Sequence, residues 1–416
     1  MIRQFVDDDL GCGSYLVADG GEAVVVDPAF AIEQYLEAAD DEGVRIVRVL
    51  ETHTHADHLS GHGRFALEHG VPVSIHPLAR PEYPFEPLSD GRRVRVGSLE
   101  LRVLHTPGHR PEHCSFVVEG AVLTGDSLFV GAAARPDLAI EARAGATDLW
   151  HSLHRLAELG DDTVVYPGHV SGSLCGSNMS DDHSTSIGRE RSSNAALKTA
   201  QRAFVDESAS ISTPRPPTTE RIVALNRGPW VAARPPLAEL DDPGDATVLD
   251  TRPVGAFAAG HRPGAIGVAL DGGSFATRSA FVLDAAEPIV LQAGSRGDAA
   301  AAARLLWAVG LFETRGYVLG GDGAQLQTLT VDELRKLRAP QVLDVRELNE
   351  NAHEIPGAVR VPYRELRVAP PAELDPERPV VTICASGARA VLAASLLARQ
   401  GFDARAVVGG GVDDVA

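Results

Sequence analysis

The sequence predicts an α/β protein of several domains. Three observations carry this reading. In the first two hundred residues, successive apolar runs each end in a histidine or aspartate beside a glycine or proline. In the second half, strand-like and helix-like segments alternate within a motif set that occurs twice. The chain, 416 residues with 44% hydrophobic side chains, is too long for one core and apolar enough for more than one.

Charge narrows the function. A formal net charge of −19 repels phosphate backbones and anionic lipid, which disfavours nucleic-acid and membrane-surface roles. The N-terminal segment is acidic at Asp7-Asp8-Asp9, where a secretory signal would be apolar, and no run has the length of a membrane span. A cytoplasmic location is therefore expected. The four cysteines, Cys12, Cys114, Cys175 and Cys384, show no C-x-x-C pairing, so neither a disulfide scaffold nor a zinc ribbon is expected.

Taken in order, Gly13–Ala18 and Ala23–Pro28 read as strands of a hairpin about Asp19-Gly20-Gly21, and residues 31–42 have helical spacing. The apolar run Val44–Leu50 then feeds Thr52-His53-Thr54-His55-Ala56-Asp57-His58, where three imidazoles and a carboxylate stand at metal-ligand spacing. The same grammar recurs. Leu99–Leu104 leads to Thr106-Pro107-Gly108-His109, Ala121–Thr124 leads to Gly125-Asp126, and Thr163–Tyr166 leads to Pro167-Gly168-His169. Strand ends of one sheet edge can in this way gather distant side chains around an ion.

The order H-x-H-x-D-H, then His, Asp and His, resembles the metallo-β-lactamase fold, an αββα sandwich, over roughly the first 230 residues. Two activities are implied. In glyoxalase II-like hydrolases the full set (His53, His55, Asp57, His58, His109, Asp126, His169) would hold a Zn²⁺ pair bridged by Asp126, with metal-bound hydroxide attacking a thioester. In the persulfide dioxygenases of the same superfamily, His53, His109 and Asp126 would hold one Fe²⁺ per chain, and His55, Asp57, His58 and His169 would orient those ligands. The strings Thr106–His113 and Arg135-Pro136-Asp137-Leu138 are similar to the dioxygenases.

His113 is expected to be structural, since His109 already fills the ligand role. His62, His69, His76, His105, His151, His154 and His183 lack partners at ligand spacing and are expected at the surface or at caps. Cys12 and Cys114 read as packed thiols. Cys175 lies in Ser171-Gly172-Ser173-Leu174-Cys175-Gly176-Ser177-Asn178, a small-residue loop shortly after His169, where the resemblance implies a second-tier thiol that receives or presents persulfide.

A breaker-rich segment, residues 212–218, precedes the repeat and reads as a linker or as a segment packed on the first domain. Val248-Leu249-Asp250-Thr251-Arg252 recurs as Val342-Leu343-Asp344-Val345-Arg346, and His261-Arg262-Pro263-Gly264-Ala265 recurs as His353-Glu354-Ile355-Pro356-Gly357-Ala358. The offset of about ninety residues suits one domain per copy. These D-x-R and P-G-A signatures resemble the rhodanese fold, with a small parallel sheet covered by helices.

In the second copy, Cys384-Ala385-Ser386-Gly387-Ala388-Arg389 follows a buried strand and opens a helix, and C-x-S-G-x-R is similar to active rhodaneses. Backbone N–H groups and the helix N-terminus stabilise a thiolate there, and Arg389 adds a cation. Superposing Pro288 on Pro379 and Gly310 on Gly401 needs no gap and sets Ala293 opposite Cys384, so the first copy lacks a nucleophile. The expected domains are residues 1–235, 236–328 and 329–416.

The fusion favours sulfur chemistry: iron-dependent oxidation of a thiol persulfide by O₂ to sulfite, joined to a rhodanese exchanging persulfide, sulfite and thiosulfate. The thioester hydrolase with accessory rhodanese domains is the alternative. A homo-oligomer is left open.

Overall fold

The chain opens with six strands, of which the second and third are buried along nearly their whole length. Strands β1 (Ile2–Val6), β2 (Gly13–Asp19), β3 (Glu22–Val26), β4 (Arg45–Leu50), β5 (Val73–Ile75) and β6 (Glu86–Pro87) form one sheet in that order. The first three pair antiparallel and the rest parallel. A second six-stranded sheet contains β7 (Arg93–Val96), β8 (Leu99–His105), β9 (Cys114–Val118), β10 (Ala121–Gly125), β11 (Val164–Pro167) and β12 (Thr185–Ser186). The computed structural model describes residues 1–137, 141–170, 180, 182–211, 214–321, 323–350 and 353–415.

Side-chain alternation builds the layers. Tyr15, Val17, Val24 and Val26 of the first sheet meet Val103, Phe116 and Leu123 of the second in a core between the sheets. Their neighbours Leu16, Val25 and Val49 face the other way, onto Tyr35 of α1 (Glu33–Asp41) and Phe65 of α2 (His62–His69). On the far side, Leu104, Val122 and Val165 pack on Leu149 and Leu153 of α3 (Ala142–Leu156). After α4 (Ile187–Ser193) and α5 (Ala195–Lys198), α6 (Gln201–Ser208) adds Phe204 to that layer. The result is the expected αββα sandwich. Helix α7 (Thr219–Arg227) is the last helix lying wholly within this unit, which comprises residues 1–234 with 307–310.

The second unit comprises residues 235–306 and 311–416 and contains two small, wholly parallel sheets. The first has the order β14-β13-β15-β16, from β13 (Thr247–Asp250), β14 (Ile266–Gly267), β15 (Ile289–Ala293) and β16 (Thr314–Leu319). Helices α8 (Val254–Ala259), α9 (Phe275–Val282) and α10 (Arg296–Ala308) intervene. The second has the order β17-β21-β20-β18-β19, from β17 (Gln327–Leu329), β18 (Gln341–Asp344), β19 (Val359–Arg360), β20 (Val380–Ile383) and β21 (Ala404–Val407). It is accompanied by α11 (Val331–Lys336), α12 (Ala388–Arg399) and α13 (Val412–Val415).

Register confirms the superposition of the repeats. Asp250 pairs with Gln292 and Asp344 with Ile383, so the residues one step further, Ala293 and Cys384, occupy equivalent strand ends. In each copy the aspartate of D-x-R chelates its own arginine, at 2.6 Å for Arg252 and 2.8 Å for Arg346. That arginine then bonds a backbone carbonyl of the following loop, Gly260 or His353.

No helix among the described residues is long and apolar enough to cross a membrane. Because Phe116 is fully buried between the sheets, Phe116→Ala should lower the first unit's stability by about 3–5 kcal/mol, measured as a displaced urea midpoint with little change in slope.

Candidate metal centre and thiol loop

Three strand ends of the second sheet and one of the first converge. Gly125 of β10 pairs with Pro167 of β11, so Asp126 and His169 emerge side by side from parallel neighbours. The loop after β8 brings His109, and the loop after β4 brings His53. Two glycines permit the approach. Gly125 has φ +49°, and a Cβ there would lie 2.7 Å from His113 Nε2 and 2.8 Å from Thr52 Cβ. A Cβ on Gly168 would lie 2.5 Å from Asp126 Oδ1.

The expected ligand residues separate into groups. His53, His109 and Asp126 are buried, and one donor atom from each lies within 4.8 Å of the others. Nε2 of His53 is 3.9 Å and Nε2 of His109 is 3.4 Å from Asp126 Oδ2, and none of these three atoms has a hydrogen-bond partner. Leaving one buried polar atom unpaired costs about 1–3 kcal/mol, so three facing one point is the signature of a metal-binding pocket. Two imidazoles and a carboxylate suit such an ion chemically.

Outer partners fix the tautomers. Thr52 donates its hydroxyl proton to Asp27 Oδ2 at 2.8 Å, so its oxygen accepts from His53 Nδ1 at 2.9 Å. His109 Nδ1 donates to the Arg135 carbonyl at 3.0 Å. Both rings thereby keep an Nε2 lone pair aimed inward. Arg135 is itself held by Asp137, which explains the role of the Arg135-Pro136-Asp137 string. Asp126 uses Oδ1 for His169 Nδ1, at 2.9 Å, and its backbone N–H donates to His113 Nε2. His113 is thus structural, as expected. Burial holds His53 and His109 below the usual imidazole range and brings His113 down to about 3, so all three are neutral near pH 7.

The remaining four residues adjoin this trio, with His169 bonded to Asp126 and the His55 ring 4.3 Å from that of His53, but each has further partners. His55 Nε2 lies 3.3 Å from Asp27 Oδ1 and 3.2 Å from Glu51 Oε2, at ion-pair distance but short of hydrogen-bond alignment. Burial and the nearby His58 depress its pKa, but Asp27 and Glu51 raise it to about 9. Asp57, His58 and His169 form a bonded cluster: His169 Nε2 to Asp57 Oδ2 at 2.8 Å and His58 Nδ1 to Asp57 Oδ1 at 3.2 Å.

Sequence reasoning missed several members of this region. Cys12 was expected to be a packed thiol. It is buried, but its Sγ lies 3.3 Å from His169, 3.4 Å from His58 and 3.5 Å from Asp57. The backbone explains the approach, since Cys12 and His169 form a β-bridge.

His62, expected at the surface or a cap, is buried, with Nδ1 3.0 Å from Glu51 Oε1. Asn226 of α7 was not singled out at all. Its amide donates to the carbonyls of His55 and His58 and accepts from Ser60 N–H, clamping the histidine loop. The segment after the breakers therefore packs on the first unit. Cys175 and Leu138 lie outside the described residues.

In the second unit Cys384 is buried at the end of β20, and Gly387 N–H donates to its Sγ at 3.1 Å where α12 begins. Arg389 is the second residue of that helix, and both its terminal nitrogens bond Glu350. In the first copy Ala293 takes the cysteine's place, and Ser295 caps α10 by accepting from Asp298 N–H and donating to the Asp298 carboxylate. The acidic side chain there makes Gly294-Ser295-Arg296 a poor anion cradle.

Known proteins share these features. The family model "Metallo-beta-lactamase superfamily" matches residues 7–169, and "Rhodanese-like domain" matches residues 330–416. The hydroxyacylglutathione hydrolase of Tolumonas auensis is 33% identical over 159 residues, 37% of this chain and 60% of its own length. The mitochondrial persulfide dioxygenase ETHE1 of Homo sapiens is 27% identical over 236 residues, 54% of this chain and 87% of its own. A metallo-beta-lactamase structure from Staphylococcus aureus has a TM-score of 0.70 at 26% identity, covering 77% of this chain and 98% of that one.

Two measurements check this geometry. Thr52→Val removes the acceptor of His53 Nδ1 and should weaken metal affinity by about 10- to 100-fold, read by competition with a chromogenic chelator. The pairing of His55 stabilises the fold fully below the unfolded imidazole value of 6.5 and is lost as pH rises through about 9. The metal-free protein should therefore lose stability across that window, and His55→Gln should flatten the loss in thermal melts.

Proposed function

The chain belongs to the metallo-β-lactamase superfamily and carries a rhodanese-like domain at residues 330–416; from that premise we propose an iron-dependent persulfide dioxygenase coupled to a sulfurtransferase. The observation that carries the reading is the trio of unpartnered donors on His53, His109 and Asp126. Two imidazoles and one carboxylate are the ligand set of non-haem ferrous oxygenases. When bound there, Fe²⁺ supplies open positions for O₂ and a persulfide sulfur. The net reaction is RSSH, O₂ and H₂O giving RSH, sulfite and two protons.

The chain's own residues do the remaining work. Thr52 and the Arg135 carbonyl hold the two imidazoles in their ligating tautomers. His113 and His169 hold the Asp126 backbone and Oδ1, leaving Oδ2 as the single ligating oxygen. Burial of all three ligands gives a dry pocket in which bound reactants are oriented.

In the second unit, the Cys384 thiolate attacks the sulfane sulfur of a persulfide. The carrier's S–S bond breaks and the carrier leaves as a thiol. Sulfite then attacks the Cys384 persulfide, forming thiosulfate and restoring the thiolate. Gly387 N–H and the α12 N-terminus stabilise the sulfur anion in both states.

We propose that residues 236–328 form a rhodanese-like domain without a nucleophile, between a dioxygenase domain at 1–235 and a catalytic rhodanese at 329–416. Free thiols at Cys12, Cys114 and Cys384 suit a reducing cytoplasm.

A zinc-pair thioester hydrolase is the second reading, favoured by the retained Asp57, His58 and His169 and by the hydroxyacylglutathione hydrolase similarity. Against it, His55 Nε2 lies at ion-pair distance from Asp27 and Glu51, and Asp57, His58 and His169 form a bonded cluster with Cys12. Fusion to a sulfane-sulfur domain also gives a thioesterase no advantage.

Anaerobically purified protein should contain one iron and consume O₂ when given a persulfide. Asp126→Ala should lose both the metal and the uptake. Cys384→Ser should abolish thiosulfate formation from sulfite and leave O₂ uptake intact on an oxygen electrode. Two zinc ions, thioester cleavage and no O₂ uptake would establish the hydrolase instead.

A further inference from the structure

Arg389, close to Cys384, belongs to a group of arginines gathered about Glu347, Glu350 and Asp344. Arg389 grips Glu350 through both terminal nitrogens, one at 3.0 Å. Arg364 Nε spans both oxygens of Glu347 at 3.2 and 3.1 Å. Arg360 donates to the carbonyls of Glu347 and Glu350 and lies 3.7 Å from Asp344, which itself chelates Arg346. The cation that the loop sequence seemed to offer an anionic donor is already neutralised.

The repeat serves as an internal control. Where the scaffold needs an ion pair, both copies keep it: Asp250 with Arg252 and Asp344 with Arg346. The Arg389–Glu350 pair behaves differently. The superposition that sets Ala293 opposite Cys384 sets Asp298 opposite Arg389, and the sixth residue after Asp250 is Ala256, where the sixth after Asp344 is Glu350. Cysteine, arginine and glutamate are absent together from these positions of the first copy, which still folds into a parallel sheet whose order matches four of the five strands of the second. The pair therefore belongs to the chemistry of the thiol, not to the framework.

We propose that Glu350 is a specificity-determining residue: by neutralising Arg389 it biases Cys384 toward persulfide donors of low charge and against the thiosulfate dianion. This rests on the sulfurtransferase reading of Cys384. A carboxylate beside an incoming dianion opposes binding, whereas a donor with a neutral carrier meets little of that repulsion. The sulfur step is the same for either donor. The Cys384 thiolate takes the sulfane sulfur, the donor's S–S bond breaks, and sulfite or the carrier thiolate departs with the bonding pair.

The test uses the full chain with cyanide as acceptor and two donors, thiosulfate and 2-hydroxyethyl persulfide. Glu350→Gln should raise kcat/KM for thiosulfate about tenfold, with less than a threefold change for the persulfide. Glu350→Asp should keep the wild-type ratio, and the isocharged double variant Glu350→Gln/Arg389→Gln should return to it, which also covers the case in which the single variant leaves Arg389 unpaired and folds poorly. A thiosulfate-to-persulfide ratio that is unchanged, or that falls, in Glu350→Gln overturns the proposal while leaving the sulfurtransferase reading in place. Transfer that persists at wild-type rate in Cys384→Ser overturns that reading and the proposal with it.

Discussion

Three donor atoms with nothing to bond are the constraint around which the first unit is arranged. A folded chain does not ordinarily bury two imidazole nitrogens and a carboxylate oxygen against one another, because each forfeits its hydration. The sandwich tolerates them because each belongs to a side chain whose other polar atom is firmly engaged. Thr52, the Arg135 carbonyl and His169 hold the far sides of the three groups. Metal binding then returns the free energy that folding leaves outstanding, so affinity and stability are linked quantities here.

The same accounting underlies the one-ion proposal. Among the seven expected ligand residues, His53, His109 and Asp126 turn unpartnered atoms toward one another, while His55 also has two ring nitrogens without a hydrogen bond but sets its Nε2 between Asp27 and Glu51. His55 is charged between two carboxylates, and Asp57, His58 and His169 are knitted together beside the Cys12 thiol. Residue identity is therefore a weaker guide to nuclearity than hydrogen-bond occupancy. The second unit applies a related principle to charge, because its arginines are counted correctly from the sequence but are not available as free cations.

Legibility followed sequence distance. The strand-to-loop grammar of His53, His109, Asp126 and His169 is written within a few residues at each place, and so is the Cys384 loop, so both were readable. The two-sheet sandwich was implied by the metallo-β-lactamase resemblance, and the parallel repeats followed from strand-helix alternation and the doubled D-x-R motif. What could not be read was the company these residues keep. Cys12 reaches His169 through a β-bridge spanning most of the first unit, and no local pattern distinguishes it from a core thiol such as Cys114. His62 looked like a surface residue because its partner, Glu51, precedes the motif and carries no signature of its own. Glu350 was invisible for the same reason, since its partner lies on α12, beyond β19 and β20.

Asn226 brings a temporal consequence. Its amide ties off the backbone of the histidine loop from a position 166 to 171 residues later in the chain. A nascent chain emerging from the ribosome displays all the metal-binding side chains long before this brace exists. The histidine loop therefore gains its full set of backbone partners only once α7 has been made and packed.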